Sequence, residues 1–132
     1  PRPLLSGVPQ GGVLSPILFS IYVHELASLV ASCGVECVCF ADDIKIYKQI
    51  TTPEDCNILQ RALDLTASWS KDWCLPLSKE KTKFMRFHIR STSTSCAPSY
   101  YIDGKTIEKV DKVMDLGFLM KSDLNCDSHC EK

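Results

Sequence analysis

The chain has 132 residues, of which 45% are hydrophobic and 23% are charged. This length and composition are typical of one modest globular domain and exclude a disordered, collagen-like or coiled-coil chain. Fifteen Lys and Arg against sixteen Asp and Glu give a net charge of -1, so no overall positive charge points to a nucleic-acid partner. The chain begins at Pro1 and its first methionine is Met85, and we therefore expect a fragment of a longer protein.

Apolar segments and cysteines indicate the cellular context. The longest apolar run, residues 13–23, is shorter than the roughly 20 residues that span a bilayer, so no membrane contact is expected. Eight cysteines without CxxC spacing favour reduced thiols over a disulfide framework, and hence an intracellular location, nuclear or cytoplasmic. Cys126, His129 and Cys130 form only a weak zinc pattern, because no fourth ligand lies near them in the sequence.

The first predicted element is a helix that follows a loop of prolines and glycines over residues 1–12. Ser15 is the expected N-cap, Pro16 the first helical residue, and Gly34 the C-terminal cap, with a start one turn earlier as the alternative. Apolar residues recur at helical spacing between these signals, which predicts one buried face. That face comprises Leu18, Ile21, Tyr22, Leu26, Leu29 and Val30.

A hairpin and a second helix are predicted next. Residues 35–41 and 44–48 are rich in β-branched and aromatic side chains, and the two acids between them, Asp42 and Asp43, would form the hairpin tip. The spacing of Thr52 and Asp55 predicts a capped helix start, and Pro76 is expected to end that helix.

Strands dominate the remainder of the chain. Residues 82–89 alternate well enough to predict a strand. Asp103-Gly104 is a strong turn signal and predicts a hairpin over residues 100–108. A last apolar strand is predicted over residues 114–120.

The Asp42-Asp43 pair is the sharpest local feature of the sequence. A two-residue hairpin turn ordinarily favours Asn-Gly or Asp-Gly, and adjacent carboxylates repel each other. Mg²⁺ would relieve that repulsion, because it takes oxygen ligands and is commonly held by one or two carboxylates together with substrate phosphates. A solvated acidic turn is the alternative explanation for the pair taken alone.

Two segments of the chain, one before the first helix and one at the predicted hairpin tip, resemble the palm of reverse transcriptases, in particular those of non-LTR retrotransposons. Residues 6–16, Ser-Gly-Val-Pro-Gln-Gly-Gly-Val-Leu-Ser-Pro, resemble motif B of that family. Residues 40–43, Phe-Ala-Asp-Asp, resemble motif C, and the distance between the two segments fits one helix and one strand.

The likeness continues towards the C-terminus. Trp69, Trp73 and the lysine-rich stretch up to Phe87 resemble motif D. Leu116-Gly117 and His129 resemble the segment that follows motif D in these elements. The resemblance therefore covers nearly the whole chain.

The resemblance implies RNA-directed DNA polymerisation from deoxynucleoside triphosphates, on an RNA template with a DNA primer. Asp42 and Asp43 would be catalytic metal ligands, with Mg²⁺ as the cofactor and Mn²⁺ as an alternative, in a site whose two ions lie about 4 Å apart. Pro9, Gln10 and Gly11 would line the incoming nucleotide, where glycine lets the backbone approach the ligand closely.

Lys81 matches the motif D lysine, which is implied to be a general acid for the pyrophosphate leaving group. The asparagine that often precedes this lysine by three positions is replaced by Ser78, and Pro76 lies in the approach, so Lys79 and Lys83 stay open as alternatives. A solvated basic strand edge is also compatible with these lysines. These lysines lie in a basic segment, residues 71–90, which has six cationic side chains and two anionic ones. Such a segment would suit contact with phosphates.

The implied fold class is α+β: a partial polymerase palm, with helices on one face of a small antiparallel sheet, and a hairpin leading into the thumb. Residues 1–98 would form the C-terminal part of the palm with motifs B, C and D, and residues 99–132 the hairpin and the start of the thumb. The fingers and motif A, with a further metal-binding aspartate, are expected in the rest of the parent polyprotein, before Pro1. Without that aspartate the primer hydroxyl would not be positioned, so we expect this chain alone to be inactive.

Three alternatives stay open. The chain could derive from a decayed or domesticated copy that keeps the fold without catalysis, although Gln10, Asp42 and Asp43 are intact. It could belong to an intron maturase-type reverse transcriptase. It could also be a non-enzymatic zinc or disulfide module.

Overall fold

The computed structural model describes residues 12–87 and 98–124. Two helices and eight short strands form within these ranges. In chain order they are α1 (Ser15–Ala31), β1 (Glu36–Phe40), β2 (Asp43–Tyr47), α2 (Pro53–Asp72), β3 (Lys83–Phe84), β4 (Tyr101–Ile102), β5 (Lys105–Thr106), β6 (Glu108–Lys109), β7 (Lys112–Asp115) and β8 (Phe118–Lys121). Neither of the described helices is long and apolar enough to cross a membrane.

The start of α1 differs from the prediction, and its end agrees with it. Ser15 is the first helical residue, and the residue in the N-cap position is Leu14, with φ -86° and ψ -13°. The Ser15 N–H donates to the Gly12 carbonyl over 3.2 Å, so a turn already precedes the helix, and Leu14 supplies no side-chain cap. The run closes as predicted at Gly34, whose φ of +79° suits glycine and whose N–H donates to the Ala31 carbonyl.

Only the C-terminal part of α1 has the predicted buried face. Val23, Leu26 and Val30 are buried, whereas Leu18, Ile21 and Tyr22 are 49%, 67% and 37% exposed. The prediction was wrong for these three residues because α2 and its neighbours cover α1 fully only beyond its middle. Periodicity identifies which residues share a face, but the packing partner decides how far along the helix that face is covered.

An aromatic cluster joins α1 to the end of α2. The Tyr22 ring packs edge-on against Trp73 and Trp69, with ring centroids 4.9 and 6.1 Å away, and its hydroxyl donates to the Trp73 carbonyl. The two tryptophan rings stack on each other at 5.9 Å. The tryptophans of the segment that resembles motif D therefore hold the two helices together, since such ring pairs add to the stabilisation from burial.

The predicted hairpin forms, but its turn lies one residue earlier than expected. Phe40 pairs with Asp43, so Ala41 and Asp42 occupy the turn and Asp43 is the first residue of β2. Ala41 has a φ of +50°, a left-handed backbone conformation that tight hairpin turns require. The predicted placement of both acids between the strands is therefore wrong for Asp43, which belongs to the strand ladder.

The start of α2 confirms the predicted capping box. The Thr52 hydroxyl accepts from the Asp55 N–H over 3.3 Å, and the Asp55 carboxylate accepts from the Thr52 N–H over 2.8 Å. Hydrogen bonds from Thr51 and Thr52 hold the pKa of Asp55 well below its ordinary value. The helix ends at Asp72, ahead of Pro76, because Cys74 adopts a φ of +52° and turns the chain away.

Three predictions concern the C-terminal strands: the hairpin over residues 100–108 is confirmed, and the strands over residues 82–89 and 114–120 differ from the prediction. The β4–β5 hairpin turns at Asp103 and Gly104, both with positive φ, as predicted. The strand expected over residues 82–89 is confined to β3 within the described residues, which end at Phe87 on this side.

The strand expected over residues 114–120 is instead a hairpin of β7 and β8. Its turn residues, Leu116 and Gly117, have φ values of +47° and +86°. Two successive left-handed residues reverse the chain in a tight turn, which a continuous strand does not allow.

The described residues form a mixed α and β structure, in agreement with the predicted α+β class. They contain four separate two-stranded sheets, three antiparallel and one, formed by β3 and β6, parallel. The core joins the two helices to β4 and to the apolar residues beside β1 and β5. Its fully or nearly fully buried side chains include Leu26, Val30, Ala62, Trp69, Tyr100 and Ile102.

Candidate functional site

Asp42 and Asp43 lie at the exposed tip of the β1–β2 hairpin. Asp42 is in the turn and Asp43 opens β2, and both side chains are exposed to solvent. Neither carboxylate makes a hydrogen bond or an ion pair with another described residue. Two adjacent anionic groups without a cationic partner are unfavourable for stability, which is a pattern that functional sites tend to show.

The donor atoms of this pair suit a hard divalent cation. Carboxylate oxygens are the preferred ligands of Mg²⁺, and one or two protein carboxylates are a common complement for that ion. Within residues 12–87 and 98–124, no group of three or more His, Cys, Asp or Glu side chains is placed to hold a metal ion. The pair therefore fits part of a metal site, whose remaining ligands must come from water, a substrate or residues outside the described ranges.

The strand register places an aromatic and a cationic side chain on the same face of the hairpin as Asp43. Alternate residues of a strand share a face, and directly paired residues share it too, so Phe40, Asp43 and Lys45 lie on one side of the hairpin. Phe40 is 58% exposed. The opposite side carries Ile44 and Ile46, which pack against the core.

Lys45 is held by a residue far along the chain. Its ammonium forms an ion pair of 2.6 Å with the Asp115 carboxylate at the end of β7. Neither residue was predicted to belong to the site. The position of Lys45 two residues after Asp43 is visible in the sequence, but nothing local indicates that Asp115, seventy residues away, is its partner.

The three lysines proposed for the motif D position differ in their surroundings. Lys79 forms an ion pair of 2.9 Å with Asp103, and Lys83 pairs with Glu108. Lys81 is exposed, follows a turn, and pairs with no carboxylate among the described residues.

Asp103 is a shared acceptor at the tip of the β4–β5 hairpin. Lys71 reaches it over 2.6 Å and Lys79 over 2.9 Å. These two ammonium groups hold the pKa of the Asp103 carboxyl below its ordinary value. Part of the basic segment is therefore neutralised by Asp103 and is not free to meet phosphates.

Several predicted site residues lie outside the described ranges. Pro9, Gln10 and Gly11, the expected nucleotide-binding residues, precede residue 12, and Cys126, His129 and Cys130 follow residue 124.

The cysteines within the described ranges are free thiols. They are Cys33, Cys37, Cys39, Cys56 and Cys74. Burial, together with the neighbouring Cys39, raises the pKa of Cys37 to about 11, so its thiol is protonated at neutral pH. Cys56 is buried, Cys33 and Cys37 are half-buried, and Cys39 and Cys74 are exposed, so only the first three could act as small hydrophobic side chains.

Comparison with known proteins identifies the family to which the chain belongs. Residues 1–120 match the family described as reverse transcriptase (RNA-dependent DNA polymerase). The match covers most of the chain, including the acidic hairpin and both helices. The chain belongs to the reverse transcriptase family, which confirms the resemblance found in its motifs.

The curated relatives come from mobile elements of insects. The probable RNA-directed DNA polymerase from transposon BS of Drosophila melanogaster is 29% identical over 135 residues, which cover 98% of this chain and 15% of the relative. The RNA-directed DNA polymerase from mobile element jockey of the same species is 25% identical over 134 residues, covering 97% and 14%. The retrovirus-related Pol polyprotein from type-1 retrotransposable element R1 of Bradysia coprophila is 29% identical over 126 residues, covering 93% and 12%.

These relatives support the non-LTR retrotransposon type that the motifs indicated. The chain spans only 12 to 15% of the length of these three proteins. No solved structure matches the chain significantly.

Proposed function

We propose that this chain is the part of an RNA-directed DNA polymerase that carries the aspartate pair of the polymerase site. The reaction is addition of deoxynucleotides to a primer 3'-hydroxyl on an RNA template, in the course of retrotransposition. The proposal is carried by the exposed Asp42 and Asp43 at the hairpin tip, which have no partner among the described residues, within a chain of the reverse transcriptase family.

Asp42 and Asp43 would hold Mg²⁺, or Mn²⁺ in its place, through their carboxylate oxygens. When bound, the metal would activate the primer hydroxyl and neutralise charge on the triphosphate and pyrophosphate. Pro9, Gln10 and Gly11 would line the incoming nucleotide ahead of α1. The N-terminus of α1 supports this role, because the dipole at a helix start favours phosphate.

Lys81 is the lysine we assign to proton donation at the pyrophosphate leaving group. A general acid must reach the substrate without first breaking an ion pair, and Lys79 and Lys83 are both engaged with carboxylates. Lys81 is exposed and has no such partner among the described residues.

The proposed place of the chain in the parent polypeptide follows from the motif order. Residues 1–98 would form the C-terminal part of the palm, and residues 99–132 the hairpin and the start of the thumb. Fingers and the motif A aspartate would come from the rest of an intracellular parent polyprotein. We therefore propose that the 132-residue chain alone does not extend a primer, because two carboxylates do not complete a two-metal site.

Primer extension tests these roles. The parent polypeptide, given a primed RNA template, deoxynucleoside triphosphates and Mg²⁺, should incorporate nucleotides, and Asp42→Ala should abolish incorporation. Lys81→Ala should lower kcat by about 100-fold, the lower end of the effect of a general acid, whereas Lys79→Ala should lower it far less. The isolated chain should incorporate nothing under the same conditions.

Asp72→Ala is the matched control, because Asp72 is an exposed aspartate at the end of α2, away from the hairpin tip. It should leave incorporation unchanged. A parent polypeptide that is folded but inactive would support a decayed copy instead. Incorporation by the isolated chain that is lost in Asp42→Ala would disprove the proposed incompleteness.

A further inference from the structure

A cationic side chain lies close to the proposed metal ligands. Lys45 follows Asp43 by two residues on β2, on the same face of the hairpin, so their Cα atoms are about 7 Å apart. A lysine side chain is long and flexible enough to bridge that distance. An ammonium group beside Asp43 would compete with a divalent cation for the same carboxylate.

The structure shows Lys45 engaged elsewhere. Its ammonium contacts the Asp115 carboxylate at 2.6 Å, and the side chains of Lys45 and Asp115 are 38% and 23% exposed. Partial burial reduces the screening of this pair by solvent compared with a fully exposed pair. Asp43, in contrast, pairs with no described cation.

We propose that Asp115 is a positioning residue for the metal site: by holding Lys45, it keeps the ammonium away from Asp43 and leaves that carboxylate open to a divalent cation. This inference rests on the proposed function, since it assumes that Asp43 is a metal ligand. It assigns to the β7–β8 hairpin an electrostatic role at the tip of β1–β2, in addition to any structural contact.

The effects of the two partners should differ in direction. Asp115→Asn releases Lys45 towards Asp43, so it should weaken cation binding. Lys45→Gln removes the competing charge, so binding should be as tight as in the unmodified chain or tighter. A purely structural latch between the hairpins predicts instead that both substitutions weaken binding equally, because each breaks the same contact.

The experiment is a titration of the full 132-residue chain with Mn²⁺ alone, in which electron paramagnetic resonance measures the free ion at low ionic strength. Asp115→Asn should raise the Kd roughly fivefold, the effect of one opposite charge at close range in water. The double variant Lys45→Gln/Asp115→Asn should return to the Kd of Lys45→Gln. Asp115→Glu, which can still hold Lys45, should bind like the unmodified chain, and added salt should reduce the difference for Asp115→Asn.

Glu108→Gln is the matched control, because it also removes one carboxylate from a lysine pair, that of Lys83. It should leave Mn²⁺ binding unchanged, which separates the proposed local effect from a change in net charge. Circular dichroism of each variant should show the helix content of the unmodified chain.

The outcomes separate this inference from the proposed function. If Asp42→Asn and Asp43→Asn bind Mn²⁺ as the unmodified chain does, the ion binds elsewhere and the role of Asp115 is disproved, whereas the proposed function fails only if Asp42→Ala leaves primer extension by the parent polypeptide unchanged. If Asp43→Asn weakens binding but Asp115→Asn does not, or if Lys45→Gln weakens it as much as Asp115→Asn, the metal site stands and the role of Asp115 is disproved.

Discussion

The helical core and the tip of the β1–β2 hairpin differ in how far their side chains are buried and paired. In the core, Leu26 and Val30 are fully buried and Trp69 is only 3% exposed. At the tip, Phe40 is 58% exposed, and the two aspartates are exposed without partners among the described residues. The core side chains are arranged for stability, whereas the tip keeps repelling charges and an exposed aromatic ring that add nothing to it.

Function and stability should therefore be separable in the chain. Substitutions in the core should act on folding, and substitutions at the tip should act on binding with little change in folding. The free energy of unfolding measures this separation and should change most for the core substitutions.

Leu26→Ala should lower the free energy of unfolding by about 3 kcal/mol. Leu26 is 0% exposed, so the substitution removes buried methyl groups and leaves a cavity. Urea denaturation followed by circular dichroism measures the change. Leu18→Ala is the matched control in the same helix, because Leu18 is 49% exposed, and it should change the free energy of unfolding by less than half as much. Equal effects would contradict the observed limit of the core along α1.

Thr52→Ala should lower the free energy of unfolding by about 1 kcal/mol, because it removes one half of the capping box of α2.

The other half of the capping box, the hydrogen bond from the Thr52 N–H to the Asp55 carboxylate, is sensitive to pH. Asp55 has a lowered pKa in the folded chain, so its stabilising contribution is present above the ordinary aspartate pKa of about 4 and is lost as the pH falls towards the folded value.

Urea denaturation between pH 7 and acidic pH measures this dependence. Asp55→Asn should remove part of the loss of stability below about pH 5. Asp72→Asn, at the other end of α2 and without a capping contact, should retain it. A pH dependence that is the same in Asp55→Asn and the unmodified chain would show that the cap does not depend on the ionised carboxylate.

Asp42→Asn and Asp43→Asn should each change the free energy of unfolding by less than about 0.5 kcal/mol. Removing one of two neighbouring negative charges relieves repulsion, and neither carboxylate has a described partner to lose. Asp103→Asn is the matched control in the turn of the β4–β5 hairpin, where the carboxylate pairs with Lys71 and Lys79, and it should be more destabilising. A large loss of stability in Asp42→Asn would show that the acids serve the fold.

Local features of the fold were predictable because their determinants lie within a few residues. The capping box joins Thr52 to Asp55, three residues away, and the β4–β5 turn needs only the two left-handed residues Asp103 and Gly104. The family was predictable for a related reason, since two short motifs in a fixed order are enough to identify it. Both kinds of signal are contiguous in the chain.

Other features depended on contacts that no local pattern contains. The Leu116-Gly117 pair looked like the middle of a strand, because apolar residues flank it on both sides, yet pairing of β7 with β8 makes it a turn. The exposure of Ile21 was likewise not predictable from periodicity, which cannot show where along a helix its partner stops.

The candidate site likewise has features that the sequence predicts and features that depend on distant contacts. The resemblance to motifs B, C and D was enough to predict Asp42 and Asp43 as metal ligands and to narrow the general acid to Lys79, Lys81 or Lys83. The fold was needed to show that Lys81 alone of these three has no ion pair with a described residue, that Asp43 belongs to a strand, and that Lys45 is held by Asp115. The physical reason is that residue chemistry is a local property of the chain, whereas the pairing of a charge depends on which distant segments the fold brings within a few ångströms.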